Sequence, residues 1–134
     1  MAGGQFNLAL SECPGLCYMW GQYTTSKEAN MYPKPIQDLS GWTIKSIACN
    51  AKGWMVAADD SIIGCAPSPC FGELASGDMK KSSAQPVEIK TLDKVHVLEC
   101  GMGIAHSIFI ARNENEEDEK AISTYGILDQ SDLD

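Results

Sequence analysis

"GCAPSPCFGELASGD", Gly64 to Asp78, puts two prolines, three glycines and two cysteines into fifteen residues, directly after the apolar run "GWMVAADDSII", Gly53 to Ile63. A catalytic loop, a metal clip and a connection between strands each accommodate such wording. No Gly-Lys-Ser/Thr comes after it, so it is not a phosphate-binding P-loop. As a zinc clip, Cys65 and Cys70 stand C-x4-C with Pro67 and Pro69 between them, and Cys13 and Cys17 stand C-x3-C. His96 and His106 lie ten residues apart, without matched metal-ligand spacing. Prolines cannot donate to a ladder, which puts Pro67 and Pro69 outside central strands. Gly72 and Gly77 suit tight connections that need positive φ. The stretch reads as punctuation between strands.

The chain has 134 residues and 44% hydrophobic content, the size of one domain with a modest core. Its net charge of -8 excludes a binder driven by nucleic-acid phosphates. The acidity is concentrated from "NENEEDEK" to the C-terminus, so residues 113–134 are expected to be a disordered acidic tail, or at most a fraying helix, with Gly126 breaking any longer one. No apolar run reaches the ~18 residues of a membrane span. The start, "MAGGQFNLAL", lacks the pattern of a signal peptide, so an intracellular chain with reduced, structural cysteines is expected, Cys49 and Cys100 among them.

The periodicity is that of strands. "FNLAL" and "CYMW" flank a Pro-Gly turn, "TIKSIAC" and "KVHVLEC" alternate, and "WMVAA" and "SIIGC" flank Asp59-Asp60. Three segments, "GGQFNLALSECPGLCYMWG", "CNAKGWMVAADDSIIGCA" and "GMGIAHSIFIARNENEE", share one layout. Anchored on Gly4, Asn50 and Gly103 they are spaced by 46 and 53 residues, and Trp20 and Cys65 lie 45 apart. "YPKPIQDL" and "AQPVEIKTL" stand between the units. Such a period signals a propeller or solenoid, in which each unit needs neighbours to bury its faces.

These units resemble regulator of chromosome condensation repeats. "GIAHSIFIA" (Gly103, His106, Ser107) is similar to the family's first strand pair, "YMWGQ" (Trp20, Gly21) to its Trp-Gly element, and "FGEL" (Phe71, Gly72, Glu73, Leu74) to its Gly-Gln-Leu-Gly loop. The wording resembles one branch of the family most, over its C-terminal part. The resemblance implies an all-β fold, a partial β-propeller of two blades plus part of a third from a seven-bladed ring, with repeats over 1–112 and the tail over 113–134. It implies a non-enzymatic interaction and scaffold module of nucleus, chromosome and mitotic structures, or of cytoplasm, with a small GTPase (Ran-, Rac- or Ral-like) and chromosomal or cytoskeletal proteins as partners. Guanine-nucleotide exchange is the alternative. Cys65-Ala66 stand where the family has Trp-Gly, Ala75 replaces the loop's last Gly, and Asn50 and Gly53 replace the strand Gly and His. These departures are expected to weaken individual blades.

No residue is read as catalytic, metal-binding or cofactor-binding, and no cofactor is expected. His106 reads as packing, Asp59-Asp60 as a hairpin turn, and Trp20 as core. His96 has no acidic partner that spacing identifies. Ser11, Ser61 and Ser107 lack the Gly-x-Ser-x-Gly context of a hydrolase nucleophile.

Overall fold

The structure, a computed structural model, describes residues 1–12, 15–24, 28–67, 71–77 and 82–132. Its strands are β1 (Phe6–Leu10), β2 (Cys17–Gly21), β3 (Asn30–Pro35), β4 (Ile44–Cys49), β5 (Trp54–Ala58), β6 (Ser61–Ala66), β7 (Ser83–Glu88), β8 (Val97–Met102) and β9 (Ser107–Ala111), followed by helix α1 (Glu116–Ser123). They form three antiparallel sheets in chain order, β1-β2-β3, β4-β5-β6-β7 and β8-β9.

The middle sheet lies between the other two. Successive side chains of a strand point to opposite faces. Trp54, Val56 and Ala58 therefore share one core with Phe6, Leu8 and Cys17, while Met55 and Ala57 share another with Val95 and Val97. All five residues of β5 are buried, which is why "WMVAA" shows no polar alternation. In β9 the alternation persists: Phe109 and Ala111 pack inward on the second core, while Ile108 and Ile110 are 64% and 55% exposed.

Hydrogen bonds fix the equivalence of the units. Gly3 N donates to Phe6 O, Asn50 N to Gly53 O, and Gly103 N to His106 O, at 2.8, 3.0 and 2.8 Å. The first anchor is thus Gly3, one residue before the Gly4 expected from sequence. Met1 and Ala2 lie against Leu8 and Asn7, as Ala48 and Cys49 lie against Met55 and Trp54.

"YPKPIQDL" and "AQPVEIKTL" do not separate the blades as expected. They contain the outer strands β3 and β7 and the 3-10 turns Gln37–Leu39 and Lys90–Leu92, offset by 53 residues. Pro33 and Pro86, at the same position of these edge strands, remove an N–H that a foreign strand could use. Asp59 takes φ 49° in the expected two-residue turn between β5 and β6.

The Gly64–Asp78 stretch opens in β6 and continues into the β6–β7 connection, of which Ser68–Cys70 and Asp78–Lys81 lie outside the described residues. The connection ties itself down. Glu73, fully buried, accepts from Phe71 N at 2.8 Å and Gly72 N at 3.0 Å, and Leu74 packs on Ala66. Gly72 and Gly77 take φ 153° and 66°, and Ala75 takes φ 53° where the family has Gly.

Within 113–134, expected to be a disordered tail or at most a fraying helix, the structure has the eight-residue helix α1. Asn115 caps it, its side chain accepting from Asp118 N at 2.9 Å. The carboxylates Glu116 to Glu119 fall in the first turn, where the helix dipole favours negative charge. Ala121 packs on the second core, and Tyr125 Oη donates to Thr91 O at 2.5 Å. Mutual repulsion counted along the sequence omits the cap, the dipole and the Arg112 guanidinium that pairs with Asp118.

Candidate functional site

The densest polar constellation lies where the middle and last sheets meet α1. His96 stands ahead of β8, Lys45 on β4, and Asp60 in the β5–β6 turn. His96 Nδ1 lies 2.5 Å from Asp60 Oδ1, and its Nε2 lies 2.9 Å from Lys45 Nζ. A carboxylate accepts and an ammonium donates, so Nδ1 carries the proton and Nε2 accepts. Lys45 also donates to Asp59 O at 2.7 Å. Arg112 N donates to His96 O at 2.8 Å, and the Arg112 guanidinium grips Asp118 with two bonds, at 2.8 and 3.1 Å. The hydrogen bonds from Arg112 hold the Asp118 carboxyl below its ordinary range, and Asp118 raises Arg112 in turn. A cleft of about 490 Å³ opens here, lined by Asp60, Lys94, His96, Arg112, Asp118 and Lys120 among others.

Asp-His pairs serve general-base catalysis when the second ring nitrogen faces a substrate. Here Lys45 occupies that nitrogen, and the Thr124 hydroxyl in the same cleft donates to Ala121 O at 2.8 Å. The arrangement clips two sheets and a helix together. Sequence spacing hides it: Lys45 and His96 are 51 residues apart.

The repeat-motif residues do not converge on one site. Trp20 and Gly21 end β2, Phe71 to Leu74 lie in the β6–β7 connection, and Gly103, His106 and Ser107 lie at the β8–β9 turn. Trp20, expected in the core, is half-buried, because it shares the outer face of β1-β2 with its cross-strand partner Asn7. The fully buried tryptophan is Trp54. Phe71 is 81% exposed, with Lys52 Nζ 5.5 Å from its ring centre.

Repeat positions do carry matched packing. A Cβ on Gly3 would meet the Phe6 ring at 2.6 Å, and one on Gly103 would collide with the His106 ring, so in these units a glycine lies under a ring. Gly21 leaves room beside Phe6 Cα. The middle unit exchanges all three roles. Gly53 leaves room for Ala66, and the Asn50 side chain accepts from Lys52 N and Gly53 N, both at 2.8 Å, and donates to Gly103 O at 3.0 Å. The expected weakening at Asn50 and Gly53 is offset by a bond that crosses between sheets.

Cys17, Cys49 and Cys65 are buried and free, and Cys100 is free and half-buried. Burial pushes the Cys17 thiol up to about 11 and raises the other three. Cys13 and Cys70, the other halves of the two spaced pairs, lie outside the described residues. Among the described residues no group of three His, Cys, Asp or Glu is placed to hold a metal ion, and no helix is long and apolar enough to cross a membrane.

No family model matches the chain. Curated relatives do: it is 50% identical over 121 residues to "Protein RCC2 homolog" of Danio rerio and 48% identical over 122 residues to "Protein RCC2" of Homo sapiens, each match covering 90% of this chain. The chain belongs to the regulator of chromosome condensation repeat family. It spans about a quarter of those relatives, 24% and 23% of their lengths. Two solved structures share its fold at 17% identity. The crystal structure of human WBSCR16 has a TM-score of 0.66, covering 81% of this chain and 29% of that one. The crystal structure of Kap60 bound to yeast RCC1 (Prp20) has a TM-score of 0.67, covering 92% and 31%. The three sheets are a partial β-propeller of this family.

Proposed function

We propose that the chain is a section of a non-enzymatic interaction module, a repeat propeller that regulates chromosome condensation by holding protein partners. Residues 1–112 carry the repeats, and 113–134 are an acidic extension, of which α1 packs against them. The observation that carries the reading is the 48–50% identity to RCC2 proteins across 90% of the chain. The fitting partners are a small GTPase of the Ran, Rac or Ral kind and chromosomal or cytoskeletal proteins, at the nucleus and mitotic structures. The packing supports a scaffold role, since the family's motif residues serve sheet connections and the His96 cluster is spent on joining elements. A nucleotide-release assay over a panel of such GTPases, run with binding measured in parallel, tests it. Binding without faster release is expected. Accelerated release by this chain alone would replace the scaffold reading with nucleotide exchange.

A further inference from the structure

The middle and last sheets are joined along β4 and β8 by side chains of two kinds. Asn50 Nδ2 donates to Gly103 O at 3.0 Å, and Ser46 Oγ accepts from Cys100 N at 3.2 Å. An amide and a hydroxyl keep their protons throughout the neutral range. Where the two strands begin, the junction passes through an imidazole instead. His96 lies between Lys45 Nζ, 2.9 Å from its Nε2, and Asp60 Oδ1, 2.5 Å from its Nδ1. Imidazole is the side chain whose ordinary titration falls between about pH 5 and 8.

The two contacts ask different things of the ring. A neutral imidazole has one donor and one acceptor, which match the Asp60 carboxylate and the Lys45 ammonium. A second proton turns Nε2 into a donor. It then faces an ammonium that has only donors, and two positive charges 2.9 Å apart repel. The Asp60 contact changes the other way, from a hydrogen bond to an ion pair. Lys45 is exposed and has a second acceptor, Asp59 O at 2.7 Å, so it can leave the ring and keep a bond. His96 is held in place: its side chain is only 21% exposed, and its carbonyl accepts from Arg112 N. The other charged groups around the ring are Lys94, Arg112 after β9, and Glu117, Asp118 and Lys120 of α1, which line the same cleft. Arg112 and Asp118 neutralise each other as a pair.

We infer that His96 is a pH-operated selector of the contacts between these two sheets. Neutral, it joins both β4 and the β5–β6 turn to the last sheet. Protonated, it keeps Asp60 and releases Lys45. Acidification therefore loosens β4 from β8 where they begin, while the Asn50 and Ser46 bonds remain, and it frees the Lys45 ammonium on that face.

A double-mutant cycle on the 134-residue chain tests this, with K45M, H96L and K45M/H96L compared by urea unfolding at about pH 8 and about pH 5.5. Asp118 and the other titrating groups are common to all four proteins, so their own pH dependence cancels. At the higher pH the Lys45–His96 coupling should favour the folded state by about two- to fivefold in the equilibrium constant. At the lower pH it should vanish or turn unfavourable. A coupling equal at the two pH values, or not favourable at the higher one, would overturn the proposal. Ring nitrogen NMR of the unaltered chain gives a second reading that needs no variant to fold. The His96 proton should sit on Nδ1 at the higher pH, and the Lys45 ammonium signal should move with the same midpoint as the ring. The opposite tautomer, or a Lys45 signal indifferent to the ring, would refute it equally.

Discussion

Asn50 shows how one side chain replaces a motif. Glycine-under-ring packing at Gly3–Phe6 and Gly103–His106 gives way in the middle unit to Asn50, whose amide makes three bonds to backbone groups. Asn50→Ala leaves the buried Gly53 N–H without a partner and should cost about 1–3 kcal/mol in urea unfolding. Gly53→His, which restores the family residue, should be worse still, because its Cβ would meet Cys65 O at 2.7 Å and Ala66 Cβ at 2.8 Å. The triple change N50G/G53H/A66G copies the first unit's arrangement and should recover most of that loss; a triple variant less stable than G53H would refute the exchange of roles. Ala75 offers the opposite sign. Its φ of 53° strains a Cβ-bearing residue, so Ala75→Gly should stabilise by about 1 kcal/mol. The free thiols Cys17, Cys49 and Cys65 should react with alkylating reagent in the native state only as fast as the chain opens, since burial withholds the thiolate.

At the scale of elements, α1 depends on the Arg112–Asp118 pair. The Asp118 pKa is depressed on folding, so its contribution is complete above the ordinary carboxylate range and disappears as pH falls through its lowered value. Amide exchange of Glu119 to Ser123 should therefore be protected at neutral pH and lose that protection in acid, and Asp118→Asn should remove it at neutral pH. Equal protection in Asp118→Asn would show that the helix docks through Ala121 and the Tyr125–Thr91 bond instead. The strands were legible in the sequence where one face is wet, as in "KVHVLEC", and so was the Asp59-Asp60 turn, because turn chemistry is local. The outer strands β3 and β7 were not, since prolines usually argue against a strand and here mark its exposed edge. For α1 the sequence suggested at most a fraying helix, although the Asn115 cap and the acidic first turn are local signals, whereas the His96–Asp60 contact could not be read, because packing and not spacing brings those two residues together.

For the molecule as a whole, one arrangement is central: a four-stranded sheet enclosed between a three-stranded and a two-stranded sheet, in the manner of consecutive propeller blades. Repeat architectures bury each unit with its neighbours, so stability should be greatest in the sheet that has a neighbour on both faces. β5 is paired on both edges and buried on both faces, whereas β9 is paired on one edge and has one exposed apolar face. Residue-resolved amide exchange on the 134-residue chain tests this directly. Met55 to Ala58 should exchange slowest of all, and Ile108 and Ile110 far faster. Protection of β5 no greater than that of β9 would contradict the stacked arrangement.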